Sequence, residues 1–315
     1  MESQCNLKII DLSKTESEII KNLSEACFNH GFFHLINHGI DSKLISSLFE
    51  QTKLLFQLPT EEKAKIDKKN SSVFRGYTDF NNETLNPKVQ TQPDTKEGFY
   101  AAKHVDETSP EYGKDTFQGP NQYPNKELLP HFREVVDKYY EEMLKLCTGF
   151  LKYMAVVLKI SLSDLQAKFN NPVALVRLLH YNERKSDIQK GIMACGDHSD
   201  YGLMTFLLTD GVPGLEVLID GQWIEVEHVE GAFVVNLADM LERFSNGKVR
   251  STKHRVINKL GKERYSIPFF YEPNSSTVVE PLNSFVDEKN PAKYPPVKYE
   301  DYIRMKYKES LVEFK

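Results

Sequence analysis

From Pro172 onward the sequence breaks into short apolar runs separated by turn-forming residues, and no other feature limits the fold as much. The runs cover residues 173–181, 191–195, 203–208, 215–218, 223–226, 233–236, 254–258 and 265–271. Each is too short for a buried helix, and most are rich in β-branched or aromatic residues, so each is expected as a strand. Asp220-Gly221, between the fourth and fifth runs, is a hairpin signal because both residues tolerate positive φ. Many short strands at this spacing form a sandwich or a barrel, either of which buries the apolar faces and leaves few open edges.

The first half reads differently. Residues 15–30 carry Ile19, Ile20, Leu23, Ala26 and Cys27 at helical spacing, with Gly31 placed to end the helix. Residues 32–36 read as a strand. Asp41 is expected to cap a helix that runs to about Gln57, and Pro59 opens another. Residues 70–125 are irregular, and loops of that length in a compact domain are usually functional or mobile, a substrate-contacting cover over the site or a plain surface excursion. The longest helical signal spans residues 126–160, where Phe132, Tyr139, Met143, Phe150 and Met154 belong to one apolar stripe suited to lie across a sheet. A charged helix from Tyr299 to about Val312 ends the chain. No repeat or linker divides the sequence, so residues 1–315 are expected as one domain: a helix-rich region (1–171), a β core (172–280) and a tail with a helix (281–315).

Forty Lys and Arg stand against 45 Asp and Glu, a net charge of −5 with the two signs interspersed. That balance argues against nucleic acid or an acidic membrane face as the main partner. No stretch approaches the length of a membrane span, and acidic residues interrupt the N-terminus where a leader would be apolar. Cys5, Cys27, Cys147 and Cys195 lie far apart with no C-x-x-C pair, as expected of reduced thiols in the cytosol, with Cys195 a small buried hydrophobe. His30, His34 and His38 have the spacing of a helical metal site, but Gly31 and Gly39 would interrupt that helix, so zinc is not expected there. Nothing calls for an obligate protein partner.

The chemistry concentrates at Gly196-Asp197-His198-Ser199-Asp200-Tyr201 and at Thr252-Lys253-His254-Arg255-Val256. In extended backbone His198 and Asp200 point the same way, presenting an imidazole beside a carboxylate. With His254 brought in from another strand, two neutral nitrogens and one anionic oxygen would cover one face of an octahedral ion and leave the opposite face open, the pattern of oxygen-activating iron(II) sites. Downstream, Arg264 and Ser266 share one face of a strand, a guanidinium fork and a hydroxyl suited to a carboxylate held away from the metal.

His198-x-Asp200, His254 and Arg264-x-Ser266 together resemble the signature of the iron(II)- and 2-oxoglutarate-dependent dioxygenases, in particular the isopenicillin N synthase-like branch. Gly31-Phe32-Phe33 through Asn37-His38-Gly39-Ile40 resembles a further segment of that branch, and the likeness runs from about Leu7 to Glu280. The resemblance implies a double-stranded β-helix (jelly-roll) core at 172–280, mainly β with flanking helices. It implies iron(II) on His198, Asp200 and His254, 2-oxoglutarate as cosubstrate on Arg264 and Ser266, and ascorbate as a reductant. Tyr181 matches a tyrosine that often donates to the cosubstrate, although Asn182 and Glu183 stand where many members carry proline. Phe99, Tyr100, Tyr201 and Phe270 are candidates for the substrate pocket. The expected reaction oxidises a small organic metabolite by hydroxylation, desaturation or ring closure and releases succinate and carbon dioxide. Two rivals are an iron oxidase of the same branch that uses no 2-oxoglutarate and a jelly-roll binding protein without catalysis.

Overall fold

The computed structural model describes residues 7–310. Strands β1 (Lys8–Asp11), β2 (Phe32–Ile36), β3 (Gly76–Thr78), β4 (Lys96–Ala102) and β5 (Val173–Tyr181) are followed by β6 (Cys195–His198), β7 (Met204–Thr209) and β8 (Leu215–Ile219). Next come β9 (Gln222–Glu225), β10 (Phe233–Leu237), β11 (His254–Val256) and β12 (Arg264–Glu272). Eight strands form a large sheet in the order β1-β2-β10-β7-β12-β5-β4-β3, and four form a smaller one, β6-β11-β8-β9. Asp220 (φ 48) and Gly221 (φ 79) make the expected tight turn of the β8–β9 hairpin.

Helix α1 (Glu16–Asn29) begins at Thr15, whose hydroxyl accepts from the Glu18 amide while Glu18 reaches back to the Thr15 amide, a complete capping box. Asp41 caps α2 (Ser42–Gln57), and α3 (Thr60–Lys65) follows Pro59. The longest helix, α4 (Phe132–Leu158), starts six residues later than its apolar stripe implies, because Pro130 disfavours helical backbone at Leu129. Lys159 in a left-handed conformation ends it. Short helices α5 (Leu162–Ala167) and α6 (Asp239–Phe244) precede α7 (Tyr299–Ser310), and the expected extension of α7 to Val312 lies outside the described residues. The expected strand at 191–195 is displaced: a helical turn at Ile188–Lys190 and Gly191 at φ +66 delay the strand to Cys195. Within the irregular 70–125 stretch, β4 pairs with β5 over seven residues.

Alternation along β5 and β12 sorts the interior. One face sends Val176, Leu178, Ile267, Phe269 and Tyr271 into the core under α4, where Tyr139 and Tyr140 meet Phe269 and Phe150 stacks on Phe33. Burying each such side chain contributes roughly 1.5–3 kcal/mol. The opposite face carries Arg177, Leu179, Tyr181, Arg264, Ser266 and Phe270 into the space between the sheets. Among the described residues no helix is long and apolar enough to cross a membrane.

Gly31 links α1 to the approach to β11. It lies at φ +66, and an added Cβ would sit 2.5 Å from the Arg250 carbonyl oxygen. Beside it, Thr252 donates to the His30 carbonyl at 2.6 Å. Gly31→Ala is therefore expected to lose at least about 1–2 kcal/mol from backbone strain alone, read as a lower denaturant midpoint with an unchanged m-value.

Candidate metal centre and active site

His198 and His254 are direct cross-strand partners of β6 and β11, which brings their rings to 4.3 Å between centroids. Asp200 follows two residues after His198, and its Oδ1 lies 3.6 Å from His198 Nε2 and 3.7 Å from His254 Nε2. One atom from each side chain falls within 4.8 Å of the others, and this is the only such His/Cys/Asp/Glu group found among the described residues. His34 and His38 each hydrogen bond a separate backbone carbonyl, of Glu227 and Gly231.

Hydrogen bonds fix which atom of each group faces the centre. Thr205 and Asn236, paired across β7 and β10, both donate to Asp200 Oδ2, at 2.5 and 2.7 Å. That leaves Oδ1 toward the imidazoles. His198 Nδ1 donates to the Gly196 carbonyl at 2.8 Å and His254 Nδ1 to that of Thr252 at 3.3 Å, so both Nε2 atoms turn inward, and in the neutral rings they are acceptors. Burial disfavours the charged form of His198, but the Cys195 sulfur and the Asp200 carboxylate outweigh it and hold the imidazole up at about 9. Burial and the His198 charge push His254 down to about 4. Near neutral pH the trio without metal holds a proton on His198.

Next to the trio is a chamber lined by Tyr181, Arg264, Ser266, Cys195 and Lys96. Arg264, 3% exposed, donates from Nε to the Val212 carbonyl at 3.2 Å and lies 5.1 Å over the Tyr181 ring, while its buried Nη1 has no hydrogen-bond partner. Ser266 is 1% exposed two residues along the same face. Cys195 is buried as expected, yet it also lines this chamber, with Lys96 Nζ 3.5 Å from its sulfur. Lys96 is itself buried between Asp94 and Glu83.

A second, outer chamber shares His198, Asp200, Arg177 and Phe270 with the first. Of the four substrate candidates, Tyr100, Tyr201 and Phe270 line it. Phe99 does not: it points to the other face of β4, fully buried and edge-on to Phe132 at 5.2 Å. Thr205, Asn236, Arg177 and Glu272 belong to these chambers without having been expected there. Their only sequence signal is alternation within a strand, and which face turns inward depends on a register the sequence leaves open.

Two family models match the chain: the N-terminal region of a non-haem dioxygenase in morphine synthesis over residues 7–126, and the 2OG-Fe(II) oxygenase superfamily over residues 172–273. A 2-oxoglutarate-Fe(II) type oxidoreductase of Emericella nidulans, hxnY, is 37% identical over 302 residues, spanning 94% of this chain and 85% of that protein. The chain belongs to the 2OG-Fe(II) oxygenases. Solved structures agree. A full-length Neurospora crassa protein in complex with alpha-KG superposes with a TM-score of 0.82 at 27% identity, covering 94% of each chain. JOX2 in complex with 2OG, Fe and JA gives 0.79 at 30% identity, covering 97% of this chain and 86% of that one. The two facing sheets are thus the double-stranded β-helix of this family, and the chain is an oxidoreductase of the 2-oxoglutarate-dependent type that uses iron.

The residues present fit both groups of a 2OG-Fe(II) oxygenase. Two imidazole acceptors and one carboxylate oxygen suit iron(II) without enclosing it. The unpartnered Nη1 of Arg264, buried in the adjoining chamber, suits a carboxylate. Removing both donors to Asp200 (Thr205→Val with Asn236→Ala) is expected to weaken iron(II) or manganese(II) binding about 10–100-fold in an anaerobic titration. Because His198 titrates at about 9, metal binding at neutral pH should release about one proton, and affinity should rise with pH until that value is passed. Calorimetry in buffers of different ionisation enthalpy measures that release.

Proposed function

We propose that this chain is a dioxygenase in which His198 Nε2, Asp200 Oδ1 and His254 Nε2 hold iron(II), Arg264 and Ser266 hold 2-oxoglutarate, and a small organic molecule is oxidised in the outer chamber. The observation that carries the reading is Arg264. A buried guanidinium with an unpaired nitrogen is costly to keep, and it lies on the same interior face as Ser266, in the chamber that the metal trio also borders. When bound, iron(II) with 2-oxoglutarate and dioxygen supplies the oxidising power, at the expense of decarboxylation to succinate and carbon dioxide.

The protein's own share is to bind, orient and exclude water. Thr205 and Asn236 keep the Asp200 carboxylate from rotating. Tyr181, stacked beneath the Arg264 guanidinium, holds the fork in plane and keeps it dry. Its hydroxyl, within reach of Ser266, helps receive the carboxylate. Tyr100, Tyr201 and Phe270 flank the outer chamber beside the metal trio and would set a flat or apolar substrate against it. Relatives crystallised with thymine and with JA, both small molecules, support a small-molecule substrate here. The interspersed surface charge and the spread cysteines support the cytosol, and the segments around Gly31 and His38 support the isopenicillin N synthase-like branch.

Purified protein is expected to form succinate only with both iron(II) and 2-oxoglutarate, and His198→Ala, Asp200→Ala and His254→Ala should each abolish it. Arg264→Lys keeps the charge but loses the fork, so its KM for 2-oxoglutarate should rise about tenfold or more. Iron-loaded protein that never consumes 2-oxoglutarate, whatever small molecules are supplied, would overturn the proposal.

A further inference from the structure

Two buried guanidiniums on the wall of the outer chamber each keep a nitrogen without an acceptor. Arg177 sits on the chamber face of β5, two and four residues before Leu179 and Tyr181, with its guanidinium stacked 4.4 Å over the Tyr100 ring. Among the described residues only Glu83 receives a hydrogen bond from it, at 2.9 Å from Nη2, and its Nε is buried without a partner. Glu83 also pairs with Lys96 at 2.9 Å, and Lys96 with Asp94. Two cations and two carboxylates thus neutralise one another.

Arg75, on the same chamber wall, is left over. It is 5% exposed, and its Nη1 and Nη2 donate to the backbone carbonyls of Val73 and Phe117 at 2.7 and 2.6 Å. Its Nε is also buried without a partner, and no described carboxylate forms an ion pair with it. Burial lowers the Arg75 pKa only to about 10, so it is charged at neutral pH. Two buried guanidiniums on one chamber wall, each with a donor that lacks an acceptor, favour a ligand that brings negative charge and disfavour a cation.

We propose that the outer chamber selects an organic anion: a small apolar acid whose carboxylate is received by Arg177 and Arg75 while its body packs on Tyr100, Tyr201 and Phe270. This rests on the assignment of the outer chamber to the substrate. It narrows the substrates to small molecules that carry an acidic group.

The test uses matched probes: cinnamate, 2-naphthoate and decanoate, each against its primary amide. They are titrated by calorimetry into full-length protein loaded with manganese(II) and saturated with 2-oxoglutarate, which blocks Arg264. At least one acid is expected to bind about tenfold more tightly than its amide. Arg177→Gln and Arg75→Gln should reduce that preference severalfold, and Arg177→Lys should keep most of it because the charge is retained. Circular dichroism melts identify any variant that fails to fold, and the lysine variant then carries the comparison. A panel in which no acid is preferred, or a preference unchanged in both glutamine variants, overturns the inference. The preceding titration of 2-oxoglutarate reports separately: if it fails to bind, the proposed function falls, whereas binding of 2-oxoglutarate without acid preference removes only the anion selectivity.

Discussion

The site depends on one carboxylate being held by one oxygen so that the other is free. Asp200 follows strand β6 of the small sheet by two residues, while Thr205 and Asn236, which grip its Oδ2, belong to the large one. The same pair of hydrogen bonds therefore orients a metal ligand and ties the segment after β6 to the large sheet. The Asp200 carbonyl, accepting from the Asp239 amide at 2.9 Å, adds a backbone tie on the other side. Were Asp200 free to rotate, the cross-strand pair His198 and His254 would present two nitrogens without a fixed third donor, and such a site binds metal weakly and in several geometries.

The chambers follow from the sheets rather than from loops. The antiparallel register of β5 and β12 places Arg264 opposite Tyr181, Ser266 opposite Leu179, Phe270 opposite Leu175 and Glu272 opposite Val173. Every second pair on these strands faces inward, so one ladder supplies the carboxylate grip at one end, an aromatic wall further along and a buried acid at the other. The neighbouring pairs, such as Phe269 with Val176, face α4 and hold the ladder rigid. A rigid scaffold suits a site whose task is to align reactants and keep water out.

Much of this was legible in the sequence because it is local. His198-x-Asp200 and Arg264-x-Ser266 are pairs two residues apart, and a strand turns such pairs to one side whatever the rest of the chain does. The texture after Pro172 gave the strands, and Asp220-Gly221 gave a hairpin. What stayed hidden is non-local. Strand β4 lies in a stretch full of Gly, Pro and Asn, and only pairing with β5 makes it a strand, so Phe99 and Tyr100 could not be told apart. Register then sends Phe99 into the core and Tyr100 to the chamber. The same holds for Thr205 and Asn236: an apolar run with a single polar residue reads as a strand, but nothing nearby says that two such residues will meet over Asp200. That Arg75 meets no carboxylate among the described residues is a property of what surrounds it, and no single-residue signal carries that.

The most direct test is anomalous diffraction from crystals grown anaerobically with manganese(II) and 2-oxoglutarate. The geometry predicts one metal peak bonded to His198 Nε2, Asp200 Oδ1 and His254 Nε2, with the far carboxylate of 2-oxoglutarate on Arg264 and Ser266. A metal bound through other atoms, or 2-oxoglutarate lying away from Arg264 while its Nη1 still lacks a partner, would contradict the arrangement described for this site.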